Sequence, residues 1–143
     1  MKISTRGRYA LRVMIDLAEH ASENYIPLKD IVARQNISQK YLEGIMTDLS
    51  KAGMLDAQHG KGGGYKLNRS PDLVTILEVL QTTEGDLAPI SCLDASAKPC
   101  SRASECRTLP MWEKLYSLIR EYLESVTLAD LMSGDNGGDN YDI

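Results

Sequence analysis

The chain has 143 residues, 43% of them hydrophobic and 25% charged, which suffices for one ordinary core with a small appended segment. No apolar run approaches the roughly 20 residues that a membrane-crossing helix needs, so a membrane role is excluded. The formal net charge of -4 hides an asymmetry: residues 1–70 carry 11 Lys+Arg against 7 Asp+Glu, net +4, while residues 71–143 carry 5 against 13, net -8. The front half suits phosphates and the rear half repels them.

The N-terminal run Lys2-Ile3-Ser4-Thr5-Arg6-Gly7-Arg8 lacks the apolar core of a secretion signal, which predicts a cytoplasmic protein with reduced thiols. From Gly7 to Ala21, the residues Ala10, Val13, Met14, Leu17, Ala18 and Ala21 recur at spacings of three and four, which predicts a first amphipathic helix. Ser4, Thr5 and Arg6 at its start are candidate phosphate contacts. A short second helix is predicted over Leu28–Gln35, with Pro27 at its start. Ser38 is then a natural N-cap for a third helix, whose Tyr41, Leu42, Ile45, Met46 and Leu49 face the core and which ends near Ala52 with Gly53 as a left-handed cap.

Two extended runs follow, Met54–His59 and Tyr65–Asn68, joined by Gly60-Lys61-Gly62-Gly63-Gly64. They predict a two-stranded hairpin with a flexible tip. A phosphate-binding loop of a nucleotide enzyme does not fit, because the Walker spacing is absent and no helix opens after the glycines. Thr75 with Glu78 reads as a capping box opening a fourth helix that runs to about Glu84. The period then vanishes through Gly85–Arg107, the segment holding all three cysteines, Cys92, Cys100 and Cys106. From about Thr108, the stripe Trp112, Leu115, Tyr116, Ile119, Tyr122, Leu123 and Val126 predicts the longest helix, suited to closing its own core or packing on a second copy in a dimer. The end, residues 133–143, is rich in Gly, Asp and Asn and reads as a disordered tail.

Helix, helix, serine-capped helix and glycine-tipped hairpin is the order of a winged helix-turn-helix in a mainly α chain, whose third helix would enter a DNA major groove. Gln39 can pair with adenine, Lys40 with guanine or a phosphate, and Glu43 can accept from cytosine. Ser38 and Tyr41 complete this reading block, and His59, Gly60 and Lys61 at the wing tip can reach the backbone or minor groove. Winged helices also serve as protein-interaction modules, and a zinc-stabilised module of that kind is the reading from a different class. The cysteines are soft donors for an iron-sulfur cluster or zinc, although seven and five intervening residues lack the C-x-x-C knuckle of structural zinc sites. Redox-sensitive thiols are a further reading. No arrangement of catalytic side chains can be built on the two isolated histidines, so an enzyme is not expected.

The blocks Lys2–Ala10, Ile37–Glu43, Gly60–Tyr65, the cysteine triad and Thr127–Leu131 together resemble the IscR-like iron-sulfur cluster regulators of the Rrf-two superfamily of bacterial repressors, over roughly residues 1–132. The resemblance implies a homodimeric regulator of promoter DNA, acting on cluster-assembly genes, whose choice of promoter changes with a bound cluster. That cluster would be of 2Fe-2S type, with 4Fe-4S as the alternative, on Cys92, Cys100 and Cys106. It divides the chain into a DNA-binding domain (1–84), a cluster-binding loop (85–107), a dimerisation helix with a short terminal helix (108–132) and the tail.

This chain departs from the pattern in several places. Leu109 stands where IscR-like proteins have a fourth, histidine ligand, and Arg8 where nitric oxide sensors of the NsrR type have an acidic one. An oxygen donor remains, from Glu43, Glu105, Asp94, water or the partner chain, and Glu43 is the choice made here. Lys40 and His59 replace a common serine and arginine, so the operator should differ. A nitric oxide or redox-sensing repressor of the same superfamily is the alternative. A cysteine-metabolism regulator of the CymR type is disfavoured by the cysteine triad.

Overall fold

Ser4 takes the Gly7 N–H on its hydroxyl at 3.1 Å and so opens α1 (Thr5–Glu19), earlier than periodicity predicts. The helix also stops earlier, with His20 as C-cap, which leaves Ala21 exposed rather than on the core stripe. The described residues of this computed structural model are 2–98 and 100–132, so the expected tail lies outside them. α2 (Leu28–Gln35) follows Pro27 in extended backbone and closes on Asn36 at φ 55, a left-handed conformation that asparagine tolerates. α3 (Gln39–Lys51) begins on Ser38, whose hydroxyl accepts from Tyr41 N–H at 3.3 Å, and ends before Gly53 at φ 83.

The hairpin consists of β1 (Leu55–Gln58) and β2 (Gly64–Leu67), antiparallel with Leu55 opposite Leu67 and Gln58 opposite Gly64. Ile26 and Tyr65 exchange two backbone hydrogen bonds, at 2.8 and 2.9 Å, and so tie the loop end of β2 to the chain before α2. This bridge explains Gly64: a Cβ there would strike the Ile26 carbonyl.

α4 (Ile76–Glu84) starts on Thr75, whose hydroxyl takes the Glu78 N–H at 3.2 Å. Only half of the expected capping box forms, because the Glu78 carboxylate turns instead to the Arg69 guanidinium at 3.1 Å. α5 (Leu109–Ser125) and the short α6 (Leu128–Leu131) follow, and the complete capping box lies at α6, between Thr127 and Asp130.

One apolar core joins these elements. Val13, Met14 and Leu17 of α1, Ile31 of α2, Leu42, Ile45, Met46 and Leu49 of α3, and Val79 of α4 are fully buried in it. Leu128 of α6 is equally buried, and its N–H donates to the Val74 carbonyl at 3.0 Å. The C-terminal segment therefore seals the same core that supports the helix-turn-helix. Truncating a side chain such as Leu49 to Ala should cost about 2–5 kcal/mol.

α5 differs from its expected stripe. Tyr116, Leu123 and Val126 do pack on the core, but Leu115 and Tyr122 are exposed, together with Met111 and Leu118. Positions 111, 115, 118 and 122 recur at four, three and four, so the helix carries two adjacent apolar faces, one against the core and one exposed among the described residues.

Candidate nucleic-acid interface and cysteine loop

The opening turn of α3 presents Ser38, Gln39 and Lys40 to solvent and contains no acidic residue, so the positive end of the helix is unscreened. Tyr41 is half-buried and packs edge-on against Tyr9 with ring centroids 5.8 Å apart, which makes it a brace for the helix. Glu43 is exposed one turn on, and Gln39 Nε2 donates to its Oε1 at 3.3 Å. The two side chains form a hydrogen-bonded pair on the exposed face of the helix.

The N-terminal arm differs most from the sequence expectation. Arg6 does not reach outward: its guanidinium donates to the Gly44 carbonyl at 3.0 Å and to the Asp48 carboxylate, both on α3. Ser4 donates both its N–H and its hydroxyl to Glu84 Oε1, each at 2.7 Å. Thr5 is exposed and accepts from Arg8 at 3.1 Å. Arg8, which sequence reasoning used only to mark a departure from relatives, is thus an exposed cation of the arm.

At the wing, His59, Gly60 and Lys61 are all exposed, as expected of a tip that can contact a duplex. Lys66, by contrast, lies 4.8 Å from the centre of the Tyr25 ring and helps hold the hairpin to the body.

A second electrostatic centre joins α1 to α2. Asp16 is 2% exposed, and burial alone would raise its carboxyl; the Arg34 guanidinium, at 2.7 and 2.9 Å, and the Gln35 amide, at 2.8 Å, outweigh this and lower it. The same pairing raises Arg34. The hydrogen-bond partners of this carboxylate lie 18 and 19 residues away in sequence, beyond the reach of local pattern.

The cysteine segment is held by another carboxylate that sequence reading missed. Asp86 accepts from the N–H groups of Ala95 at 2.6 Å and Ala88 at 2.8 Å and from the Tyr116 hydroxyl at 3.0 Å, bonds that keep it below the usual carboxylate range. Cys92 and Cys100 are exposed, Cys106 is half-exposed, and none is in a disulfide. Cys106 Sγ lies 3.5 Å from the Thr108 hydroxyl, which, with the N–H groups opening α5, draws its thiol below the ordinary range.

The donor chemistry of this loop, three unpaired thiols, fits an iron-sulfur cluster. Among the described residues, however, no three of the His, Cys, Asp and Glu side chains are gathered into a metal-holding group. The structure therefore does not bring Cys92, Cys100, Cys106 and Glu43 into one set. No described helix is long and apolar enough to cross a membrane.

The family described as Rrf2, iron-dependent transcriptional regulator, matches residues 3–134. The regulator IscR of Aliivibrio salmonicida is 36% identical over 132 residues, spanning 92% of this chain and 77% of that protein. The structure of CymR, the global cysteine regulator of B. subtilis, superposes with a TM-score of 0.74 at 35% identity, over 93% of this chain and 97% of that one. T. potens IscR superposes with a TM-score of 0.71 at 35% identity, over 92% and 85%.

Proposed function

The chain belongs to the Rrf2 family of DNA-binding transcriptional regulators, and on that premise we propose that it is a homodimeric repressor of iron-sulfur assembly genes whose promoter choice follows the state of the cysteine loop. The observation that carries this reading is the placement of three unpaired thiols on one surface loop, Asp86-anchored to α4 and α5, behind a serine-capped helix that exposes Gln39, Lys40 and Glu43.

Four parts of the chain take distinct roles. α3 enters the major groove, with Gln39 and Glu43 meeting bases and Ser38 and Lys40 meeting bases or phosphate. Thr5 and Arg8 of the arm and His59, Gly60 and Lys61 of the wing contact the backbone. The exposed stripe Met111, Leu115, Leu118 and Tyr122 packs on its copy, so that two α3 helices are presented to a palindromic site. Cys92, Cys100 and Cys106 would hold the cluster, of 2Fe-2S or alternatively 4Fe-4S type, with an oxygen donor as the fourth ligand, which Glu43 would supply only when withdrawn from the bases. When bound, the cluster supplies a group that oxygen, nitric oxide or iron shortage can remove.

Anaerobic purification with a visible spectrum, followed by footprinting on genomic fragments, tests this. A brown dimer whose footprints change when Cys92, Cys100 and Cys106 are replaced by serine is the expected result. A colourless protein with unchanged footprints would overturn the sensor reading. Tightly held zinc would move the assignment to a zinc-stabilised module.

The likeness to the cysteine regulator CymR favours a second reading, in which the chain controls genes of cysteine metabolism. Footprints on those genes that are indifferent to the thiols would select it.

A further inference from the structure

Glu84 sits at the electrostatically wrong end of its own helix. It is the last residue of α4, where the helix dipole is negative and disfavours a carboxylate. Its Oε1 instead takes both donors of Ser4, at 2.7 Å each, at the positive end of α1. Gly7 lies against the same carboxylate: its N–H is taken by the Ser4 hydroxyl at 3.1 Å, and an added Cβ would force the Glu84 carboxylate to move. The carboxylate thus fills a place shaped for a small anion, and both donors of Ser4 are consumed by it.

The next two residues connect this contact to the cysteine loop. Gly85 turns the chain at φ 77, and Asp86 then holds Ala95, three residues past Cys92, and Tyr116 of α5. A cleft of about 240 Å³, lined by Lys2, Ile3, Glu84, Asp86, Leu87 and Ala88, leaves room for the strap to shift.

We propose that Glu84-Gly85-Asp86 is a strap between the two functional regions: Glu84 competes with a DNA phosphate for Ser4, and Asp86 makes that competition depend on the conformation of the cysteine loop. The proposal rests on the nucleic-acid reading above. A phosphate can take the Ser4 donors only after the carboxylate leaves, because two anions cannot share them. By reciprocity, whatever shifts the loop changes DNA affinity, and DNA shifts the loop.

The test uses the full chain and a random-sequence duplex, read by fluorescence anisotropy, with maleimide modification of Cys92 as the second readout. Glu84→Gln should tighten duplex binding about fivefold or more. Glu84→Ala should tighten it likewise, and adding Gly7→Ala to Glu84→Ala should cancel that gain, since the new methyl stands where the carboxylate oxygen lay. In the unaltered chain, saturating duplex should change the Cys92 modification rate; in Glu84→Gln and in Asp86→Ala it should not. Glu84→Ala serves the same comparison if the glutamine variant does not fold. Equal or weaker binding by the Glu84 variants would overturn the competition, and a Cys92 rate indifferent to duplex would overturn the link to the loop. Failure of the unaltered chain to bind any duplex would bring down the nucleic-acid reading itself, and the strap with it.

Discussion

The Arg6 guanidinium of α1 grips the Asp48 carboxylate and the Gly44 carbonyl of α3, so a cation expected to meet DNA is instead committed to holding the recognition helix. Both side chains are about a third exposed, at 34% and 38%, so the pair is solvent-screened and contributes little to stability. Its effect lies in where α3 points. Asp48→Asn should release Arg6 to a phosphate and steepen the fall of log K with log salt by about 0.9. Arg6→Ala should leave the salt slope unchanged while reducing the preference for specific over random sites. Salt titrations of duplex binding separate the two outcomes.

The buried Asp16 carboxylate accepts from the Arg34 guanidinium, whose side chain is 33% exposed, and from the Gln35 amide, bonds that an asparagine cannot all replace. Asp16→Asn is expected to destabilise the fold by about 1.5–3 kcal/mol, measured by urea unfolding at neutral pH. Because the folded carboxyl is lowered, its contribution is fully present above the unfolded value of 3.8 and is lost as pH falls through the lower, folded one. The asparagine variant should therefore lose less stability than the unaltered chain over that acid range.

Met111, Leu115, Leu118 and Tyr122 form an apolar row that is exposed among the described residues. Leu118→Glu should leave the circular dichroism spectrum intact, since Leu118 is 48% exposed and not part of the core. The same change should convert a dimer to a monomer in sedimentation velocity and sharply weaken binding to a palindromic duplex. An unaltered dimer would place the interface elsewhere.

Thr108 donates or shares its hydroxyl with Cys106 and is the leading cause of that thiol's lowered position. Thr108→Val keeps the shape and removes the hydroxyl, so Cys106 should alkylate more slowly at neutral pH as its thiolate fraction falls. The rates at Cys92 and Cys100 serve as internal references.

Gln39 and Glu43 are linked by a hydrogen bond on the exposed face of α3. Glu43→Ala should relax discrimination at the base pair it faces, by about 1–3 kcal/mol, and weaken any difference in footprint between cysteine-intact and cysteine-free protein. An unchanged difference would remove Glu43 from the sensing path.

Much of this was legible from the order of residues. The spans of α2, α3 and α4 and the presence of the hairpin follow from apolar spacing, serine and threonine caps and glycine placement, because each is a short-range property of the backbone; the strands themselves, Leu55–Gln58 and Gly64–Leu67, are shorter at three ends than expected and take in Gly64. The exposed Ser38, Gln39, Lys40, His59 and Lys61 follow equally from which face the apolar set claims. What the order of residues did not reveal was polar chemistry acting at long range: Ser4 and Arg6 are paired with Glu84 and Asp48, 80 and 42 residues away. Glu78 likewise left its capping box for Arg69.

By itself, then, the sequence determined the elements and the helix faces, since hydrophobic period and capping are settled within a few residues. Only the folded chain decided which charges pair, which apolar row of α5 stays uncovered, and what anchors the cysteine loop. Those outcomes depend on side chains brought within about 3 Å by packing, and a hydrogen bond has no reach until the backbone has delivered both of its partners.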